Sequence, residues 1–365
     1  MRIGLIIYGS LDVLTGGNLY DRIVVEGLTQ IGHEVEVIEL PSVPYRRRLG
    51  HNLQPGLCRR LLAKKFDVLI EDELCHPSLV LVNRRLRRCP DCPLLIALVH
   101  HTLSDEPRHP WHNRMLALVE RSFLASVDGF IHNSVTTQDK VATLAPHNRP
   151  QLIAYPAGDR LGEALTAELI QRRAELPGPL HLLFLGAVIP RKGLHPLLQA
   201  LAGIDHKLWQ LAVVGGLDFD PAYARQMHEL VDKLDLSKSV NFLGLLQDDE
   251  LRKVLMNSHI FCMPYAYEGF GIALIEAMGF GLPAIGCRSG AAGETIDHGG
   301  NGYLLAADDL LGLAPIVSQL HRDRQQLLRL ALTARTTSAN HPRWQDSIMA
   351  IDTFLQQMHR EGVAA

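Results

Sequence analysis

No stretch of this chain is apolar for anything near the ~20 residues that a membrane-spanning helix needs, so a helical membrane protein is not expected. The opening MRIGLIIYGS is apolar over too few residues for a signal peptide and reads as a first β-strand entering a glycine turn. Positive charge is not in excess. There are 36 Lys and Arg against 39 Asp and Glu, a formal charge of -3, so no overall basic field advertises a nucleic-acid partner. Cysteine is sparse: Cys58, Cys75, Cys89, Cys92, Cys262 and Cys287 are scattered, mostly in or beside apolar runs. That pattern suits free thiols in a reducing compartment and leads to the expectation of a cytoplasmic protein. Cys89-Pro-Asp-Cys92 is a lone CxxC; a structural zinc needs four ligands, so the tetrapeptide reads as a turn. Two phosphate-binding signatures are missing too. No Lys-Ser/Thr follows the early glycines, which excludes a P-loop, and no GxGxxG follows the first strand, which excludes the dinucleotide fingerprint.

What the chain does have is 365 residues, 47% of them apolar, enough for two domains with sizeable cores. Short β-branched runs alternate with helix-length segments. RIGLIIYG (2–9), HEVEVIEL (33–40), FDVLIED (66–72), PLLIALVHH (93–101) and VDGFIHNS (127–134) read as strands. Helices are expected over 19–32, 113–126 and from about Thr136. The pattern then restarts with strands LHLLFLGAV (180–188), WQLAVVGG (209–216), SVNFLG (239–244), HIFCMP (259–264) and LPAIGC (282–287). Helices over 193–204, 222–234 and 248–258 separate them. Buried runs alternating with helices predict an α/β protein of two doubly wound parallel-sheet domains, with the break around 155–178. The tail carries an apolar helical stripe, Trp344, Ile348, Ile351 and Leu355, that must dock somewhere.

Ligands of such sheets meet the carboxyl ends of the strands, and with two domains the cleft between them is the expected site. After strand one, Gly16-Gly17-Asn18 leads into a helix and would allow close approach of an anion, though a plain tight turn fits as well. His100 and His101 end another strand; one of the two is expected to face the ligand. Asp72 and Glu73 either reach the same place or solvate its rim. Arg191 and Lys192 precede a helix and could neutralise a phosphate. Asp218-Phe-Asp220 has the letters of a metal-binding DxD but reads better as a surface turn. The densest signal is YEGFGIALIEAMGFGLPAI (267–285). A helix starting near Phe270–Gly271 puts Glu276 roughly 8–12 Å from Glu268, about the span from a sugar past two phosphates to a ribose. Helix-start N–H groups would hold the diphosphate, and a carboxylate at each end would accept from hydroxyls.

The glycines at 16–17, His100, YPAGD, PRKG (190–193), FLG (242–244), DDEL (248–251) and EGFGIALIEAMGFGLPAI with its E-x7-E resemble the retaining glycosyltransferases of family four. The resemblance spans nearly the whole chain. It implies the GT-B fold: two Rossmann-like domains facing a central cleft, with a C-terminal helix crossing back to the first. The implied division is 1–160 plus 341–365 for the acceptor side and 161–340 for the donor. It implies a metal-independent transfer of a hexose, with retention and no cofactor, from a nucleotide-diphosphate sugar (UDP being the commonest choice) to a hydroxyl of a glycan, lipid or small molecule. Implied donor contacts are Glu276 on the ribose, Glu268 on the sugar, and backbone N–H groups around Gly269, Phe270, Gly271 and Ile272. Lys192 would meet the leaving diphosphate, His100 the sugar, and Gly16 and Gly17 the phosphates. One position departs: many relatives carry arginine where this chain has Ala187, a place Arg191 could fill. An epimerase or sugar phosphorylase of the same fold, or a non-catalytic nucleotide-sugar-binding protein, are the alternatives. The acceptor is not legible. The basic segment 46–65, with Leu61 and Leu62 among its arginines, suggests peripheral contact with an anionic membrane from its inner face, and RRLRR (84–88) is a second basic run.

Overall fold

A computed structural model describes residues 1–53, 55–106, 108–264, 267–306 and 309–364. Packing divides the chain into two units, one formed by Met1–Pro156 with Trp344–Ala365, the other by Ala157–Arg343.

The first unit runs β1 (Arg2–Tyr8), α1 (Gly16–Gln30), β2 (Glu34–Leu40), α2 (Tyr45–His51), α3 (Pro55–Ala63), β3 (Val68–Asp72), α4 (His76–Leu86), β4 (Leu94–Val99), α5 (Pro110–Leu124), β5 (Gly129–His132), α6 (Val135–Leu144) and β6 (Gln151–Ile153). The strands pair in parallel in the order β2-β1-β3-β4-β5-β6. Central strands are buried on both faces, which explains their near-continuous apolar runs. Two elements escape a periodicity reading. β6 is three residues long, and α4 hides a buried Ser78 and Asn83 on its inner face. The second basic run is the end of α4, where Arg84 and Arg85 suit the negative pole of the helix.

In segment 46–65, Leu61 is 2% exposed and Leu62 packs, partly buried, against the same core as Phe66, Leu79 and Phe123, so that pair turns inward. Leu49 and Leu53 of the same segment are 38% and 73% exposed, and Arg46, Arg47, Arg59, Arg60 and Lys64 are exposed with them. The CxxC is a turn, with the Cys92 N–H donating to the Cys89 carbonyl and both thiols free.

The second unit runs α7 (Ala167–Glu175), β7 (Leu180–Leu185), α8 (Leu194–Ala202), β8 (Trp209–Val214), α9 (Pro221–Lys233), β9 (Val240–Gly244), α10 (Asp248–Asn257), β10 (Ile260–Met263), α11 (Ile272–Gly279), β11 (Ala284–Cys287), α12 (Ala292–Thr295), β12 (Gly302–Leu305), α13 (Leu313–Arg322) and α14 (Arg324–Asn340). The sheet order is β12-β11-β10-β7-β8-β9, again parallel. The stretch 155–178, expected as a break, contains α7. That polar-looking helix docks through Arg173, which donates to the carbonyls of Phe280 and Gly281 at 2.9 and 2.8 Å. Asp220 of the DFD triplet caps α9, accepting from the Tyr223 N–H. A capping role of this kind accounts for the triplet without a metal.

The last helix, α15 (Trp344–Ala364), packs in the first unit. Trp344, Ile348, Ile351 and Leu355 are all buried, as the stripe requires. Gly27 of α1 lies against Ile348 so closely that a Cβ there would come within 2.3 Å of it, and His33 meets Asp352 at 2.7 Å. Among the described residues no helix is long and apolar enough to cross a membrane.

Candidate functional site

A doubly wound sheet binds ligands where its strand order reverses. In the second unit that point lies between β7 and β10, adjacent in the sheet but leading to opposite flanks. The segments leaving these two strands carry the predicted cations and carboxylate. After β7, Pro190–Lys192 forms a single 3-10 turn. It presents Lys192 Nζ 2.5 Å from Glu268 Oε2 and Arg191 Nη1 3.1 Å from the same oxygen. Arg191 also donates to the Tyr267 carbonyl at 2.9 Å. Two cations against one carboxylate leave this corner net positive, as a diphosphate would require.

The Glu268 backbone is fixed from behind. The Ala291 N–H donates to the Glu268 carbonyl at 3.0 Å. Gly290, at φ +70°, lies so near that a Cβ would stand 2.3 Å from that carbonyl oxygen. Of the loop expected over 265–269, Tyr265 and Ala266 lie outside the described residues. Phe270 is buried, with its ring 5.5 Å from that of His341. Gly271, at φ +95°, starts α11, so Ile272 is its first residue and Glu276 stands in the second turn. The opening turn of any α-helix leaves its first N–H groups without an intrahelical partner. The rest of α11 is apolar and buried except for Glu276, itself 2% exposed. Burial pushes the Glu276 carboxyl up to about 7, although the Arg160 guanidinium opposes the shift. Arg160 Nε is 2.6 Å from Glu276 Oε1, and its Nη1 is 2.5 Å from Asp248 Oδ1.

In the first unit the order reverses between β1 and β3. Gly16 and Gly17 follow β1, but they form the first turn of α1 instead of a loop before it, capped by the Thr15 hydroxyl. His100 follows β4 and is 6% exposed. Its Nε2 is 2.8 Å from Asp21 Oδ1. Burial alone would lower the imidazole, but the Asp21 carboxylate outweighs it and raises His100 to about 9, so the ring is an imidazolium at neutral pH. A Cβ on Gly17 would be 3.5 Å from the His100 ring. Behind it, Tyr20 meets His100 edge-on at 5.2 Å and Trp344 meets Tyr20 at 5.5 Å, so the tail helix buttresses the histidine. His101 pairs with Glu106 at 3.0 Å.

Asp72 and Glu73 do not solvate a rim; both are buried. Among the described residues one trio of metal-type ligands comes together, Glu73, His76 and Glu120. Both imidazole nitrogens are already engaged: Nδ1 faces the Glu73 carbonyl at 2.9 Å and Nε2 the Tyr45 hydroxyl at 3.0 Å. Burial pushes His76 down to about 4 and Glu120 up to about 7, and it holds Glu73 well above the usual carboxylate range. The trio therefore reads as two carboxyls beside a neutral imidazole. Glu120 accepts from the Leu103 N–H at 2.6 Å and so steadies the segment after His100.

Sequence reasoning missed Asp21, Arg160 and Gly290. Asp21 is four residues beyond Gly17, one helical turn on, and Arg160 directly follows YPAGD; both were in view but needed the fold to gain a partner.

Comparison with known proteins agrees with this geometry. Residues 167–337 match the family model of glycosyl transferases group 1. The phosphatidyl-myo-inositol mannosyltransferase of Mycobacterium leprae is 26% identical, over 88% of each chain. Among solved structures, sucrose-phosphate synthase from Thermosynechococcus elongatus aligns at TM-score 0.80 and 19% identity, over 99% of each chain. The Anabaena protein HepE in complex with UDP-glucose aligns at TM-score 0.77 and 18% identity, over the full length of both. Two parallel-sheet Rossmann-like units with these neighbours define the GT-B fold. Residues 167–337 thus match the glycosyl transferases group 1, and the chain is a GT-B glycosyltransferase and a hexosyltransferase.

Proposed function

We propose that the chain transfers a hexose from a nucleoside-diphosphate sugar to an acceptor hydroxyl, with retention at C1 and with Lys192 and Arg191 in place of a metal. The observation that carries this is the convergence of both cations on Glu268 beside the start of α11. As the C1–O bond breaks, charge grows on the leaving diphosphate. Fixed cations and helix-start N–H groups stabilise that charge more than they stabilise the ground state. In the second unit Glu268 accepts from sugar hydroxyls and Glu276 from the ribose; in the first unit His100, an imidazolium, is a hydrogen-bond donor for a substrate oxygen.

UDP is the first base to test, since HepE was solved with UDP-glucose. GDP is the second, because another relative is a GDP-mannose-dependent mannosyltransferase, 28% identical over 47% of this chain. For the acceptor we favour a lipid-linked hydroxyl. The exposed face of α5 carries Trp111, Met115 and Leu118, at 60%, 49% and 59% exposure, beside exposed Arg114 and Arg121. That combination suits the surface of an anionic bilayer.

The test is thermal unfolding in EDTA with UDP, GDP, ADP and their sugars. A nucleotide at 100 times its Kd adds about 2.7 kcal/mol. Stabilisation by one base series, followed by NMR of the product showing the donor's anomeric configuration in a new glycoside, is the expected result. No shift with any nucleotide, or release of free sugar phosphate without a glycoside, overturns the reading.

A further inference from the structure

Arg160 plays no part in the transfer as proposed above, yet it makes the shortest polar contact to the most deeply buried carboxylate of the site. It stands in a 3-10 turn, Asp159–Leu161, just after the second unit begins. The turn is pressed onto α11: a Cβ on Gly158 would lie 2.7 Å from the Ile275 carbonyl oxygen and 3.0 Å from the Glu276 nitrogen. Only a glycine allows that approach, and it brings Arg160 to Glu276 Oε1 at 2.6 Å. The guanidinium does not rest on Glu276 alone. Its Nη1 reaches Asp248, the first residue of α10. The Asp248 side chain is 68% exposed, whereas that of Arg160 is 18% exposed and that of Glu276 only 2%. Arg160 thus bridges a surface carboxylate and an interior one.

A buried carboxyl that must accept hydroxyl hydrogen bonds has to be ionised and aimed. Water does neither at 2% exposure, and burial works against ionisation. Among the described residues nothing else nearby offers help. Asp248 adds negative charge. β11 is Ala-Ile-Gly-Cys, and α14 meets this part of α11 through the Ser338 hydroxyl on the Ile275 carbonyl, while Arg335 turns to the Leu165 carbonyl.

We propose that Arg160 is a positioning residue of the donor subsite: bridged to Asp248, it holds Glu276 ionised and oriented for the ribose hydroxyls of a nucleoside diphosphate. The inference rests on the donor reading given above. Arg160 Nε stands 2.6 Å from Glu276 Oε1 as an ion pair outside hydrogen-bond geometry, so the carboxylate keeps its acceptor capacity for the nucleotide. Loss of Arg160 leaves the same carboxyl buried without its counter-charge, and its protonation then extends to higher pH.

The experiment is calorimetric titration of UDP and GDP into the full chain from about pH 6 to 9, for the parent, Arg160→Met, Arg160→Lys, Glu276→Gln and Lys192→Met. The parent binds more tightly as pH rises through about 7, where Glu276 ionises. Arg160→Met is expected to bind about tenfold more weakly near pH 6.5 and to recover most of the loss by about pH 9, a one-unit shift of the profile being tenfold in affinity on its sloping limb. Arg160→Lys keeps the charge and restores much of the neutral-pH affinity. Lys192→Met loses affinity by the same factor at each pH. If the parent binds neither nucleotide, the donor reading itself fails. If the parent binds and Glu276→Gln weakens it, but Arg160→Met keeps the parent's profile, only the positioning role is overturned. A uniform loss at every pH in both Arg160 variants also overturns it, since that is the signature of damaged packing.

Discussion

Glu71→Gln should make this protein more stable, by an amount that depends on pH. Glu71 lies inside β3 and is completely buried. One oxygen accepts from Asn83 Nδ2 at 2.8 Å; the other, Oε1, has no hydrogen-bond partner. Burial pushes its carboxyl up to about 8, with the Asn83 hydrogen bond opposing. An unfolded glutamate titrates near 4.3. Between those values the native chain holds a proton that the unfolded chain has released. Stability is therefore fully present below about pH 4.3 and is lost as pH rises through about 8, at about 1.4 kcal/mol per unit. The whole window is worth on the order of 5 kcal/mol. Glutamine has nearly the shape of the protonated acid, keeps the acceptor for Asn83 and cannot ionise. Its advantage over the parent should be close to nil near pH 4 and reach its full size at pH 8. The assay is hydrogen exchange at the β3 and β4 amides under native conditions with graded urea, which reads the first unit alone. A parent-to-variant gap that stays constant from pH 5 to 8 would refute the argument, because it would mean that the carboxyl is ionised throughout.

Lys192→Met should cut turnover by about 10²–10³-fold, the range for losing one fixed donor to a developing anion, with the melting temperature unchanged; single-turnover kinetics checks it. Gly290→Ala should cost at least ~1–2 kcal/mol for its left-handed backbone and, by displacing the Glu268 carbonyl, should lower kcat further than stability alone explains. The kcat/KM profile should rise with pH through about 7 as Glu276 ionises and fall above about 9 as His100 loses its proton. His100→Gln should abolish the alkaline fall and leave the acid limb in place. Co-sedimentation with anionic vesicles at low salt should fall several-fold in a Trp111→Ser, Arg114→Ser double variant; binding unchanged from the parent would remove α5 as the contact.

Elements whose residues share one environment were legible in the sequence. Buried parallel strands show as apolar runs, and the stripe at Trp344, Ile348, Ile351 and Leu355 announces a docked helix. Segments that mix environments were not. α7 sets the buried Arg173 beside Ile170 and Ala174, and α4 buries Asn83 and Ser78, so polar residues stand on inner faces where an apolar stripe would be read. In segment 46–65 composition reveals charge but not that Leu61 points inward while Leu53 points out. In the site, Glu268 with Glu276 and Arg191 with Lys192 could be singled out because each pair is local in sequence, although only the fold brings Lys192 to Glu268 across 76 residues. Arg160 and Asp21 were not, since each gains its meaning from a partner far along the chain: 116 residues in one case and 79 in the other.

The docking of α15 also has a consequence for how the protein is made. α15 packs on α1 where Ile348 meets Gly27, and its Asp352 meets His33, three residues beyond α1 and 319 residues away in sequence. Everything from Ala157 to Arg343 is synthesised between the two halves of the first unit. At ordinary translation speeds that interval lasts on the order of tens of seconds. During it the β-sheet of the first unit exists without its closing helix, and the apolar flank of α1 around Gly27 is open to other chains in the cell. The second unit, contiguous in sequence, can be complete before the first. A released chain cut just before Trp344 would therefore carry a second unit complete in sequence attached to a first unit that still lacks its closing helix.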